Sequence, residues 1–206
     1  MISILPTEMQ FAANAFFLLG IERILYATWF IYPNSFKYHV RKGSFGKQIQ
    51  NESLYWKNAM TLGTYIKVFQ FGVCIYDLFF RSSISSPLNV DPLQLLLGLA
   101  LIVMGQGLNV AVFKALGGIG VYYGYEFGYK VKRVSCFPYN VSWISDPQYW
   151  GVVFTIWGIY LCFDVNDFTF PLLETFWYLC SMKFLEHTRG RNIVQQILGP
   201  DTLKSV

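Results

Sequence analysis

Apolar residues along this chain fall into long blocks separated by short polar stretches. Phe11 to Tyr32 is the first block, Ala59 to Phe80 the second and Pro92 to Phe113 the third. Pro147 to Phe163 and Phe168 to Leu185 are two more, joined by the polar turn Asp164-Val-Asn-Asp167. A bilayer span needs about 20 apolar residues, which the first three blocks meet and the last two approach. Two blocks open on Asp-Pro pairs, Asp91-Pro92 and Asp146-Pro147. Such a pair starts a helix well, because the aspartate can cap free N–H groups and proline at the first helical position has no N–H to leave unpaired. The pattern predicts an all-α, polytopic integral membrane bundle of four to five transmembrane segments, closed by a C-terminal helical hairpin. With 206 residues spent mostly on these helices, residues 1–206 make one domain.

Composition supports the same class. Hydrophobic residues make up 54% of the chain and charged residues 14%, unlike a soluble domain. The first block is the exception, since Glu22-Arg23 sits in its middle. Charges at the bilayer centre cost several kcal/mol, so this block is either re-entrant or interfacial, or the pair lines a polar site. No basic n-region of a signal peptide precedes it, and it runs longer than such a peptide's apolar h-region. If all five blocks cross, Lys37, Arg41, Lys42, Lys47 and Lys57 share a side with Lys130, Lys132, Arg133, Arg189, Arg191 and Lys204. Positive residues favour the cytoplasm, which places the C-terminus and the 146–151 segment there. The net charge of +4 lies beside membrane segments, fitting lipid head groups better than nucleic acid. Cys74, Cys136, Cys162 and Cys180 have no paired spacing, and His39 and His187 stand far apart, so no metal site is expected.

Several polar or glycine-bearing positions stand out against this background. Gly105-Gln106-Gly107 lies in the third block, where glycine costs about 0.5–1 kcal/mol relative to alanine. Close helix packing is one reason for such residues and approach of a ligand to the backbone is another. Gly120, Gly124 and Gly128 are read as packing residues. Glu186 ends the last apolar run and is either an interface residue or a functional acid; Glu174, mid-helix, is read as structural, either paired with Lys183 or pointing to the lumenal end. Lys130, Lys132 and Arg133 are either a solvated flank or a clamp for a lipid phosphate. The hairpin brings Asp146-Pro-Gln-Tyr-Trp-Gly151 towards Glu186-His187, an arrangement suited to a cationic or hydroxyl-rich ligand.

Ala115-Leu-Gly117, Gly124-Tyr-Glu-Phe-Gly128, Phe137-Pro-Tyr-Asn140, Asp146-Pro-Gln-Tyr-Trp-Gly151 and Glu186, taken in order, resemble phosphatidylethanolamine N-methyltransferases. These belong to a wider group of membrane methyltransferases that includes isoprenylcysteine carboxyl methyltransferases. The resemblance is strongest from Gly105 onward, and it implies a cofactor-site half at about residues 92–198. It implies that S-adenosylmethionine binds Gly105, Gln106 and Gly107 in a transmembrane helix, and Glu186 and His187 after the final span. The chain departs from the family at His187, where a second glutamate is usual. It also implies a phosphatidylethanolamine substrate, or its mono- and dimethyl derivatives, in the endoplasmic reticulum membrane or a mitochondrial one. The amine must lose a proton, and Asp146, Tyr149 and His187 are the candidate acceptors. Another lipid or a prenylcysteine substrate would use the same cofactor site, and a non-catalytic scaffold is the reading from a different class.

Overall fold

The computed structural model describes residues 7–43, 55–81, 90–122, 124–131, 134–141, 144, 146–163, 165 and 167–198; at 7–10, 22, 29–30, 81 and 185–198 it describes the backbone alone. The described residues contain helices and turns but no strand. In chain order the helices are α1 (Thr7–Ile31), α2 (Pro33–Lys42), α3 (Tyr55–Tyr76), which runs into a π-helical turn (Asp77–Arg81), α4 (Pro92–Val121), α5 (Pro147–Leu161) and α6 (Thr169–Leu198). Each apolar block therefore becomes a helix. Segments within α1 (Phe11–Thr28) and α4 (Pro92–Val121) are long and apolar enough to cross a bilayer.

The outer faces are apolar. On α4, Leu93, Leu96, Val103 and Val110 are all exposed, and on α1 so are Phe17, Ile21 and Ile24. A helix that is hydrophobic all round suits hydrocarbon surroundings, where no polar face is needed. The short α2 differs. It starts at Pro33, ends on Gly43 in the left-handed conformation (φ 76), and carries His39, Arg41 and Lys42 in its last turn. Phe36 and Val40 are its buried side, and Phe36 stacks on Phe127 with ring centres 5.2 Å apart. That amphipathic pattern fits a helix lying at a membrane surface.

α4 and α5 form an antiparallel pair. Gly98 meets Gly158 near one end, and Gly105 meets Gly151 near the other. A Cβ built on Gly158 would stand 2.8 Å from the Ile102 backbone nitrogen, and one on Gly105 2.8 Å from the Thr155 nitrogen. Small residues let backbones approach this closely in lipid. The α5–α6 hairpin is antiparallel as well: Tyr160 stacks on Phe170 near the turn, Trp157 donates to the Thr175 hydroxyl at 2.8 Å, and Tyr149 meets Tyr178 at the far end. α1 packs on α6, where the Trp177 indole N–H donates to the Phe16 carbonyl at 3.0 Å.

Local chemistry explains the helix ends. Asp91 caps α4 by accepting from the Leu93 N–H at 2.7 Å. Asp146 occupies the same position before α5 but makes no such side-chain cap, so the equivalence of the two Asp-Pro pairs holds for the proline alone. α4 continues eight residues past the expected Phe113 and bends at Gly117, whose φ of 65° and ψ of 171° lie outside the helical region. Only glycine takes that conformation readily, so the bend is written at this residue. α6 also outlasts its apolar run: its helical backbone passes through Glu186 and His187 to Leu198.

Two apolar cores lie at different depths. One joins Leu19, Cys74, Leu78, Ile156, Tyr160, Val165 and Phe170 from α1, α3, α5, α6 and the hairpin turn. The other joins Tyr26, Phe36, Val40, Tyr55, Ala59 and Phe127 near the α1–α2 corner. Between Leu19 and Tyr26 on α1 comes Arg23. Between Ala59 and Cys74 on α3 come Lys67 and Gln70. The polar centre of the bundle is sandwiched between the two cores.

Candidate functional site

The polar centre accounts for Arg23 in the first block; the Glu22 side chain lies outside the described residues. Arg23 is 5% exposed and its Nη2 stands 3.8 Å from Oε1 of Glu174, itself 1% exposed. The guanidinium lies over the Tyr178 ring at 3.7 Å, with Tyr149 and Tyr26 at 5.6 and 5.7 Å. Lys67 donates to Oε1 of Gln70 at 2.7 Å and to the Tyr178 hydroxyl. Glu174 therefore pairs with Arg23 across the bundle. Cations over aromatic faces gain electrostatic attraction, and a buried charge needs such partners. A second polar contact sits further along α3, where the Tyr160 hydroxyl donates to Asp77 and both residues are fully buried.

Beside Arg23 opens a cavity of about 290 Å³, walled by Ile24, Tyr26 and Ala27 of α1, Trp177, Ser181 and Phe184 of α6, and Tyr149 of α5. Its lining is mostly apolar, with Arg23, Ser181 and the tyrosine hydroxyls as polar exceptions. Ile24 and Phe184 are also exposed on the outer surface, so the cavity sits at the seam between α1 and α6. Its upper wall on α6 ends two residues before Glu186.

The three α4 residues singled out by sequence face in different directions. Gly105 is buried against α5, and any side chain there would run into the Gly151 carbonyl and Thr155. Gln106 is exposed at the edge of that contact, its amide donating to the Thr155 hydroxyl at 2.9 Å. That hydroxyl donates in turn to the Gly151 carbonyl at 2.8 Å. Gly107 is open, with no heavy atom within 4 Å of where its Cβ would stand. The first turn of α5 separates these glycines from the cavity. Tyr149 and Gly151 are two residues apart, about 200° around the helix, so one faces the cavity and the other faces α4.

Gly105→Leu should destabilise the protein by at least about 1–3 kcal/mol, the usual range for overpacking, because the obstacle is backbone. Unfolding in detergent measures it, and an unchanged midpoint would show that the α4–α5 pair separates at little cost.

Of the remaining sequence candidates, Asp146 is half-buried and its carbonyl accepts from the Tyr149 and Trp150 N–H groups. Lys130 is exposed, three residues beyond Phe127. Lys132 and Arg133 lie outside the described residues, as do the side chains of Glu186 and His187. Sequence reasoning missed Lys67, Gln70 and Asp77. The signal was present, because two charges and an amide in the otherwise apolar second block are as unusual as Glu22-Arg23. No cluster of three or more metal-binding side chains occurs among the described residues.

A helical bundle with apolar outer faces, a glycine-packed helix pair and a buried polar centre defines a membrane protein with an internal site. The sequence profile of the phospholipid methyltransferase family matches residues 93–195, half of the chain and all of α5. The chain belongs to that family. It is 38% identical over 92 residues to phosphatidyl-N-methylethanolamine N-methyltransferase of Arabidopsis thaliana, covering 45% of this chain and 52% of that protein. It is 45% identical over 56 residues to phosphatidylethanolamine N-methyltransferase of Homo sapiens, covering 27% of each. The match thus spans about half the length of the first relative and about a quarter of the second. No solved structure matches the chain.

Proposed function

We infer that the chain is an S-adenosylmethionine-dependent N-methyltransferase acting on phosphatidylethanolamine or its mono- and dimethyl derivatives. The family match over residues 93–195 carries this reading, since it takes in most of α4, the whole hairpin and the Glu186-His187 position. The two relatives are named for consecutive acceptors in one series, which supports the substrate class but not a particular step. The membrane assignment is supported by the apolar outer faces, with four to five spans as the reading and the endoplasmic reticulum as the expected location, a mitochondrial membrane being the second choice.

The residues present suit the cofactor. Gly107 offers an open, side-chain-free stretch of α4 against which a flat adenosine can lie, and exposed Gln106 is fixed beside it by Thr155. When bound, S-adenosylmethionine supplies a methyl group on a positively charged sulfur, open to direct displacement. Glu186 would hold the ammonium of the cofactor, because a carboxylate attracts a cation more strongly where water is scarce. His187 can add one hydrogen bond. Alignment of the two reactants contributes much of the rate in a displacement of this kind. The chain must also receive one proton from the lipid ammonium before the amine can react. Burial near a second positive charge makes that proton easier to lose. Asp146, Tyr149 and His187 are the groups proposed to accept it, and Tyr149 is the one with a place on the cavity wall.

Lys130, Lys132 and Arg133 remain proposed contacts for lipid head groups at the membrane surface. The alternative class is a scaffold without catalysis, suggested by histidine in place of the second glutamate. Equilibrium binding of S-adenosylmethionine to the purified chain separates the two. Saturable binding, lost in Gly107→Leu without a change in unfolding midpoint, is the enzyme's result; an absence of binding to the native chain is the scaffold's.

His187→Glu should retain or improve cofactor affinity, because the matching family position serves the cofactor. Single-turnover rates at saturating cofactor between about pH 6 and 9 bracket the ordinary histidine range near 6.5. A rate that collapses there while affinity holds would instead make His187 the proton acceptor.

A further inference from the structure

We propose that the α1–α6 cavity is the head-group pocket for the phospholipid substrate, with Arg23 holding the phosphodiester. The proposal rests on the methyltransferase reading and deepens it by naming where the lipid sits. Arg23 is nine-tenths buried, lines the cavity and presents a guanidinium, the side chain best matched to two phosphate oxygens at once. Its ion pair with Glu174, at 3.8 Å, is longer than a hydrogen bond.

Charge in the polar centre points the same way. Arg23 and Lys67 both lie over the Tyr178 ring, at 3.7 and 5.1 Å, and Glu174 is paired with Arg23. Asp77 is ten residues further along α3 than Lys67, about 15 Å of helix, and is held by Tyr160. A phosphodiester monoanion seated at Arg23 would be attracted by both cations. A soluble anion would not need the rest of the lining. Ile24, Ala27, Trp177 and Phe184 are apolar, and Ile24 and Phe184 open onto the outer surface.

Size sets how the lipid lies. At about 290 Å³ the cavity is at the small end of ligand pockets, which run from about 300 to 1,000 Å³. It takes a head group and leaves two acyl chains outside, along exposed Phe17, Ile21 and Ile24 of α1. A phosphate at Arg23 brings the amine, two carbons away, towards Tyr149, whose ring centre is 5.6 Å from the guanidinium carbon. Ser181 and Phe184, on the cavity wall, precede Glu186 by five and two residues on α6. Tyr149 is level with Tyr178, so the amine lies eight residues, about 12 Å of helix, before Glu186.

Cys180 provides a readout that needs no catalysis, because it is an exposed free thiol on the cavity wall. In a Cys136→Ser/Cys162→Ser background, alkylation of Cys180 by N-ethylmaleimide is followed in detergent with three probes. Dilauroyl phosphatidylethanolamine should slow it, whereas dilauroylglycerol and inorganic phosphate should not. Equal slowing by dilauroylglycerol, slowing by phosphate alone, or no slowing by the phospholipid would each overturn the proposal. Arg23→Leu/Glu174→Leu removes both charges together, avoiding a lone buried carboxylate. It should abolish the protection and raise the lipid KM by on the order of ten- to a hundredfold, the scale of a lost hydrogen bond to a charged group, with cofactor affinity unchanged. Full protection in that double variant would overturn the role of Arg23, and if the variant fails to fold, the native-chain arm decides. Phospholipid protection of Cys180 in a chain that transfers no methyl group would uphold the lipid pocket while removing the methyltransferase reading.

Discussion

Glu174→Leu should cost about 3–5 kcal/mol of stability, the largest loss expected of any single polar substitution in this chain. The carboxylate is almost wholly buried, and removing it leaves Arg23 and Lys67, two cations gathered over the same tyrosine ring, without the anion that separates them. The size of the effect comes from the stranded charge more than from the pair itself. Adding Arg23→Leu should therefore recover most of the loss, since an apolar pair of similar volume is often as stable as a buried ion pair. Denaturant or thermal unfolding in detergent would measure all three variants. A Glu174→Leu loss under about 1 kcal/mol, typical of exposed pairs, would mean that Arg23 reaches water or another anion when the carboxylate is gone.

The second large effect concerns binding. Glu186→Gln should weaken S-adenosylmethionine binding by on the order of ten- to a hundredfold, the scale of a charge-assisted hydrogen bond, with little change in unfolding midpoint. Glutamine keeps the shape and loses the charge, so the variant separates attraction for a cation from packing. Glu186 also lies within continuous helix and not at a frayed end, as α6 runs on to Leu198. Normal turnover in the variant would falsify the assignment of this residue to the cofactor.

Much of the architecture was legible because hydrophobic block length is a property of local sequence. Every block became a helix, and Pro92 and Pro147 each mark a helix start, whereas the short α2 at Pro33–Lys42 was not foreseen. The hairpin was legible too, because few residues separate two apolar runs there. What was not legible depends on contacts across the bundle. Arg23 and Glu174 are 151 residues apart, and nothing local to Glu174 distinguishes that partner from nearby Lys183. Lys67 and Asp77 were overlooked inside an apolar block, where each meets a tyrosine on another helix. The pair Gly105 and Gly107 makes the same point at closer range. Their residue type and spacing are symmetric, yet one is wedged against the Gly151 carbonyl and the other is open. A helix turns about 200° between them, and only the position of α5 decides which is which. Packing, one of the two readings of Gly-x-Gly in the sequence, falls to Gly105, while Gly107 is left open. The cavity had no sequence signal of its own, since its walls come from α1, α5 and α6.

The activity proposed for this chain moves a methyl group from S-adenosylmethionine to the nitrogen of a phospholipid. The most direct measurement is transfer of labelled methyl by the purified protein, reconstituted in phosphatidylcholine vesicles. Each vesicle set carries one acceptor: phosphatidylethanolamine, its monomethyl derivative or its dimethyl derivative, with products resolved by chromatography. Label should appear in the next methylated lipid for at least one acceptor, and Glu186→Gln should lose it. Saturable cofactor binding with no labelled lipid from any of the three acceptors would contradict the account.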